Sequence, residues 1–137
     1  MDFVKYLATY GAGFLTILVL DYVWLGIIAK NFIIKEFGNL ISVTDNSIDL
    51  NLPAGILAWL AIAIMVVTFV TLRFTGYGSV ALYGAIMGFL MYAMYDLTNL
   101  TFITNYSLKF TLVDIAWGTF ACMAVALVSY AVYSQFS

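Results

Sequence analysis

The chain contains no histidine. That absence removes imidazole general bases, the Ser-His-Asp triad, His-based zinc sites and the usual axial ligand of haem or chlorophyll, because each of these needs that ring. There is a single cysteine, Cys122, so neither an intrachain disulfide nor a Cys-x-x-Cys motif can form, and cysteine usage carries no information on redox compartment. Charge is equally scarce: 9% of residues are Asp, Glu, Lys or Arg, where soluble domains average about 25%. Five basic residues stand against seven acidic ones, a formal charge of -2. No basic surface is large enough to track a phosphate backbone, which excludes nucleic acid as a partner.

What fills the space is apolar. Over 137 residues, 65% are hydrophobic and the mean hydropathy is +1.06, which places the chain among integral membrane proteins. A spanning helix needs roughly 20 apolar residues to cross a hydrocarbon core about 30 Å thick. Four segments meet that test, at about residues 6–29, 52–72, 79–100 and 110–133. The first is too long for the ~7 to 15 apolar residues of a signal peptide, and no clean small-x-small site follows it, so it is expected to stay as a helix. The expectation is an all-α, four-helix transmembrane bundle, with residues 1–137 forming one domain. Short turns at 73–78 and 101–109 make neighbouring helices antiparallel, and one long loop, residues 30–51, separates helices 1 and 2.

Within that loop Ile33, Phe37, Leu40 and Ile41 share a helical face, which suits a stretch lying in the membrane interface as a lid or collar. Thr44-Asp45-Asn46-Ser47 reads as a turn, with Asp45 and Asp49 as solubilising loop residues. Pro53 fits the first turn of the second span. Lys30, Lys35 and Lys109 fall at one end of the bundle, and Lys5 and Arg73 at the other. The positive-inside count therefore specifies no orientation.

Three carboxyls lie inside the spans, where Asp at a helix centre costs about 2.5 to 3.5 kcal/mol. Asp21 falls about 13 Å and Asp114 about 7 to 8 Å inside the loop end, at ~1.5 Å per residue. Asp96 closes the third span at the same end. Each shares a stripe with small residues: Thr9, Gly13, Ile17, Asp21 and Trp24 in the first span, Ala81, Gly84, Gly88, Tyr92, Asp96 and Asn99 in the third, and Thr111, Asp114, Gly118, Ala121, Val125 and Ser129 in the fourth. Small residues at such spacing bring helices close, and Gly84 with Gly88 reads as a packing motif. The three acids are thus expected to converge on one polar pocket beneath the loop. They cannot all be ionised cheaply there, with Lys109 as the nearest cation and Lys30 at the rim. Trp24 and Trp117 are available as indole donors, Tyr22 and Tyr95 as phenols, and Thr98, Asn99 and Thr101 as further polar groups. A lysine at a span boundary more often snorkels to the headgroups, and tryptophan near a helix end more often anchors at the interface.

The words Leu20-Asp21-Tyr22-Val23-Trp24-Leu25-Gly26, Tyr95-Asp96-Leu97-Thr98-Asn99 and Val113-Asp114-Ile115-Ala116-Trp117-Gly118 resemble a family of small bacterial membrane proteins known only as domain of unknown function 2177. With the four spans and the loop, the likeness covers essentially the whole chain. The resemblance implies a bacterial inner-membrane location and one four-span domain, and it supplies no activity.

Three readings follow. In the first the carboxylate pocket handles a proton, cation or small polar solute, with a homodimer needed because four helices rarely enclose a path alone. The second is an accessory or assembly subunit of a larger membrane complex whose Asp network locks the bundle. The third is a lipid-modifying enzyme with the acids as acid/base groups or as ligands for a divalent metal, although no catalytic motif appears. The first is preferred. Its binding or ion-coupling candidates are Asp21, Asp96, Asp114, Trp24, Tyr95, Asn99, Trp117 and Lys109, with no catalytic residue, metal ligand set or cofactor assigned, and membrane lipid as the expected surrounding partner.

Overall fold

The ends of the helices are written in their capping residues. The Asn51 side chain accepts from the Ala54 N–H at 3.3 Å and Pro53 occupies the first turn, so a helix starts at Leu52. Ser107 does the same for the last helix, accepting from Phe110 N–H at 2.9 Å. The computed structural model describes residues 2–136, and about 82% of the protein is helical.

The first span joins α1 (Asp2–Val23) to a π-helical turn, Trp24–Ile28, closed by an i→i+5 bond from Ala29 N–H to Trp24 O of 2.8 Å. Two short helices and a hairpin follow: α2 (Lys30–Phe37), a 3-10 turn (Gly38–Leu40), then β1 (Val43–Thr44) paired antiparallel with β2 (Ser47–Ile48). The second span is α3 (Leu52–Val66) continuing as a π-helical turn, Val67–Thr71, and the last two are α4 (Tyr77–Phe102) and α5 (Leu108–Ser134). These four helices are long and apolar enough to cross a membrane. Leu15, Val19, Leu57, Leu82, Leu90, Leu112 and Phe120 project outward, as a lipid-facing surface requires.

Helices α4 and α5 pack most closely, because the contact is made of residues with almost no side chain. A Cβ on Gly84 would lie 2.7 Å from Ala126 Cβ, and one on Gly88 would run into the Gly118 carbonyl oxygen. Close backbone approach replaces the hydrophobic drive that is missing between helices in lipid. Ile17, Val66, Val80 and Val125 fill the core between the spans. At the end away from the hairpin, Thr71 and Ser129 hydroxyls bond at 2.8 Å, and Gly76 N–H donates to the Tyr130 hydroxyl at 2.8 Å.

The connection between the first two spans is folded, which corrects its reading as a loop. Its turn, Asp45-Asn46, has φ of 51° and 60°, the left-handed pair that joins two-residue hairpins and that Asp and Asn tolerate. Asp49 is no mere solubiliser: its Oδ2 accepts from Ser42 and Thr44 hydroxyls at 2.7 and 2.8 Å, holding the two ends of the hairpin together. Those hydroxyls hold the Asp49 carboxyl below its ordinary value. Helix α2 lies against the start of α5, with Ile33 buried and Phe37 and Ile41 beside it, whereas Leu40 points to solvent.

Candidate functional site

The four-residue spacing Thr9, Gly13, Ile17, Asp21 forms the buried stripe of α1, so Asp21 is carried into the bundle, 7% exposed. Two indoles meet it. Trp59 Nε1–H donates to Oδ2 at 2.6 Å and Trp117 Nε1–H donates to Oδ1 at 2.9 Å, so one carboxyl ties α1 to α3 and α5. Trp24 stacks on Trp117, ring centroids 4.4 Å apart and planes 7° from parallel.

Asp96 and Asp114 form a second centre on the α4–α5 interface. Asp96 is fully buried and Asp114 is 8% exposed, and their carboxyls come within hydrogen-bonding reach of each other. Two ionised carboxylates would both only accept, and a proton on either one makes it a donor to the other. Asp96 Oδ1 receives the Tyr106 hydroxyl at 2.7 Å, while Oδ2 is buried with no hydrogen-bond partner among the described residues. Tyr106 reaches back because α4 ends at Phe102 and Asn105, at φ 63°, turns the chain inward. Asn99 extends the network, its Nδ2 lying 3.5 Å from the Tyr106 hydroxyl. Burial pushes the Tyr106 phenol above its ordinary value, the Asn99 contact opposes this, and the bond to Asp96 adds to it. Tyr106 therefore stays a donor at any ordinary pH.

Helix α2 covers this centre. Glu36 Oε2 accepts from the Ser107 hydroxyl at 2.7 Å, and Phe37 meets Phe110 edge-on with centroids 4.6 Å apart. Tyr92, one turn before Asp96 on α4, packs its ring on the bare backbone of Gly118, one turn after Asp114 on α5.

Of the residues singled out in the sequence, the structure places Asp21 with Trp117 and Trp24, and Asp96 with Asp114 and Asn99. Among the described residues no group of three His, Cys, Asp or Glu is arranged to hold a metal ion. Tyr95 is 59% exposed: it neighbours Asp96 in sequence, but one residue turns the helix by about 100°. Lys109 is not beside Asp114; its Nζ lies over the Phe32 ring, 5.8 Å from the centroid. Tyr22 faces outward. Sequence reasoning missed Trp59 and Tyr106. The second span is apolar all round and marks no inward face, so Trp59 carried no signal. Tyr92 lay on the polar stripe of the third span.

A family model described as a predicted membrane protein, DUF2177, matches residues 6–131. The chain belongs to that family. In this DUF2177 chain both carboxyl centres and their indole, phenol and amide partners fall inside the matched stretch. Comparison with curated proteins and with solved structures finds no match.

Proposed function

We propose that this membrane protein takes up a proton or a small cation between Asp96 and Asp114, coupled to movement of a small polar solute in a bacterial inner membrane. The observation that carries the reading is Asp96: fully buried, held by Tyr106 through one oxygen, its other oxygen without a hydrogen-bond partner among the described residues. Two facing carboxylates in a low-dielectric interior repel, and a positive species between them removes the repulsion. Intramembrane acids with unspent acceptors mark ion or proton sites more often than inert glue. Asp21 reads differently. Both its oxygens are engaged by indoles, which supports a structural lock at that centre, the role an assembly subunit would need. The metal-dependent enzyme reading would need three ligands on one ion, a group the described acids do not form.

The test is infrared difference spectroscopy of the reconstituted protein across a pH titration, paired with proton flux into liposomes under an imposed potential. The expected result is a carboxylic-acid band that titrates in the parent and is lost in both Asp96→Asn and Asp114→Asn, with flux lost and helix content retained. An unchanged band and unchanged flux in both variants would overturn the proposal.

A further inference from the structure

A cleft of about 620 Å³ opens between the first and second spans under the hairpin, separate from the Asp96–Asp114 pair. That volume falls in the range of small-molecule sites, roughly 300–1,000 Å³. Its walls are mostly apolar, with Leu15, Leu18 and Val19 from α1 at one end and Leu50 and Leu52 beside the hairpin at the other. Leu15, Val19 and Leu52 are themselves exposed on the lipid-facing surface, so the cleft is open sideways to acyl chains. It ends in polar groups: Lys30 and Ser47 line it at the hairpin, and the Asp21–Trp59 pair lines it deeper in the bundle. From Leu15 to Lys30 the helix advances roughly 20 Å, somewhat more than the ~15 Å half-thickness of a hydrocarbon core.

The polar end of the cleft carries one ammonium, Lys30, and deeper in one carboxyl, Asp21. Asp21 gives both oxygens to indoles, Glu36 is engaged by Ser107, and Asp49 by Ser42 and Thr44. These neutral donors hold the carboxylates in place without cancelling their charge, and Lys30 is the cation that lines the cleft, at its hairpin end. Gly26, exposed on this side, keeps the wall of the cleft low. It lies in the π-helical turn and lines the cleft, and a Cβ there would meet no heavy atom within 4 Å. The backbone leaves room that no side chain of the protein fills.

We propose that this cleft binds a single-chain anionic amphiphile, its chain lying along Leu15, Leu18, Val19 and Leu52 and its anionic head meeting Lys30 and Ser47. The inference does not rest on ion uptake at Asp96 and Asp114. The chain enters sideways from the bilayer, and the hairpin caps the head.

The test uses the full chain in delipidated detergent micelles with a photoactivatable diazirine fatty acid, cross-linked sites being mapped by peptide mass spectrometry. Labelling is expected on residues 15–30 and 47–52 and is expected to be displaced by lysophosphatidylglycerol. Lysophosphatidylcholine of the same chain length should compete about fivefold less well, the worth of one lysine against an anionic lipid. Lys30→Gln should erase that preference while labelling persists. Gly26→Phe should abolish labelling with helix content and melting temperature unchanged, and Gly26→Leu, which fills less of the space, should reduce it. Labels spread evenly over the outer faces of all four spans, equal competition by both lysolipids, or full labelling of Gly26→Phe would each overturn the proposal. Displacement by glycerol phosphate alone would also overturn it, by assigning the site to a free anion.

Discussion

Replacing Trp59 with phenylalanine keeps an aromatic ring in the bundle and removes the N–H that reaches Asp21 Oδ2 at 2.6 Å. In water-soluble proteins a hydrogen bond to a charged acceptor contributes about 1.5 to 3 kcal/mol. Inside membranes, measured couplings average about 0.6 kcal/mol and reach about 1.7, because the separated helices also find partners. The short Trp59 bond belongs near the upper value, and the 2.9 Å bond from Trp117 nearer the average. A double-mutant cycle of Trp59→Phe with Asp21→Ala is therefore expected to give a coupling of about 1 to 1.7 kcal/mol, and one of Trp117→Phe with Asp21→Ala about 0.6. Asp21→Asn adds a check on geometry. Its amide oxygen can serve one indole, but its NH2 then faces the N–H of the other, so this isosteric change should cost at least as much as losing Trp59. Unfolding in mixed micelles by dodecyl sulfate, followed by far-UV circular dichroism, measures all of these. Couplings within about 0.3 to 0.5 kcal/mol of zero, the additivity of independent sites, together with a neutral Asp21→Asn, would refute the account of Asp21 as a three-helix tie.

Gly88→Ala is expected to cost about 1 to 3 kcal/mol, since its methyl meets Cys122 Cβ at 2.6 Å as well as the Gly118 backbone. Gly11→Ala, whose methyl meets nothing within 4 Å, should instead stabilise by about 0.5 to 1 kcal/mol, and the same micelle titration separates the two. Tyr106→Phe leaves Asp96 without either partner and should destabilise by about 1 to 3 kcal/mol while shifting the carboxyl infrared bands; an unshifted spectrum would place Asp96 elsewhere. Asp49 has a folded value below its ordinary 3.8, so its hold on the hairpin is present above that pH and is lost as pH falls through the folded value. Carbon NMR of the Asp49 carboxyl should show a midpoint under 3.8, returning toward 3.8 when Ser42 and Thr44 are both changed to alanine.

The spans were legible because each buried face carries its own spacing. Thr111, Asp114, Gly118, Ala121, Val125 and Ser129 in the fourth span are all buried, and so are Thr9, Gly13, Ile17 and Asp21 in the first. What periodicity cannot supply is rotation of one helix against another, and that rotation decides that Asp21 meets the two indoles of Trp59 and Trp117. Neighbourhood in sequence misled at Tyr95 and Lys109, since one residue or five along a helix lands on a different face. Tyr106 lay in a turn, where a single left-handed residue, Asn105, decides whether a side chain reaches back into the bundle. The folded segment between the first two spans rests on local pairs, such as Ser42 and Thr44 with Asp49, that hydropathy does not weigh.

The chain has three tryptophans, and all of them surround one carboxyl: Trp59 and Trp117 bonded to Asp21, and Trp24 stacked on Trp117. Light absorbed by indole anywhere in this molecule is thus absorbed at a single place. Rings 4.4 Å apart and nearly parallel couple their transitions, so the stacked pair behaves as one chromophore with its own optical activity. The third ring reports whether the second span still holds its place against the first. Whatever enters the neighbouring cleft, or loosens the tie at Asp21, alters the emission of the whole protein, which makes the native chain its own optical probe with no label attached.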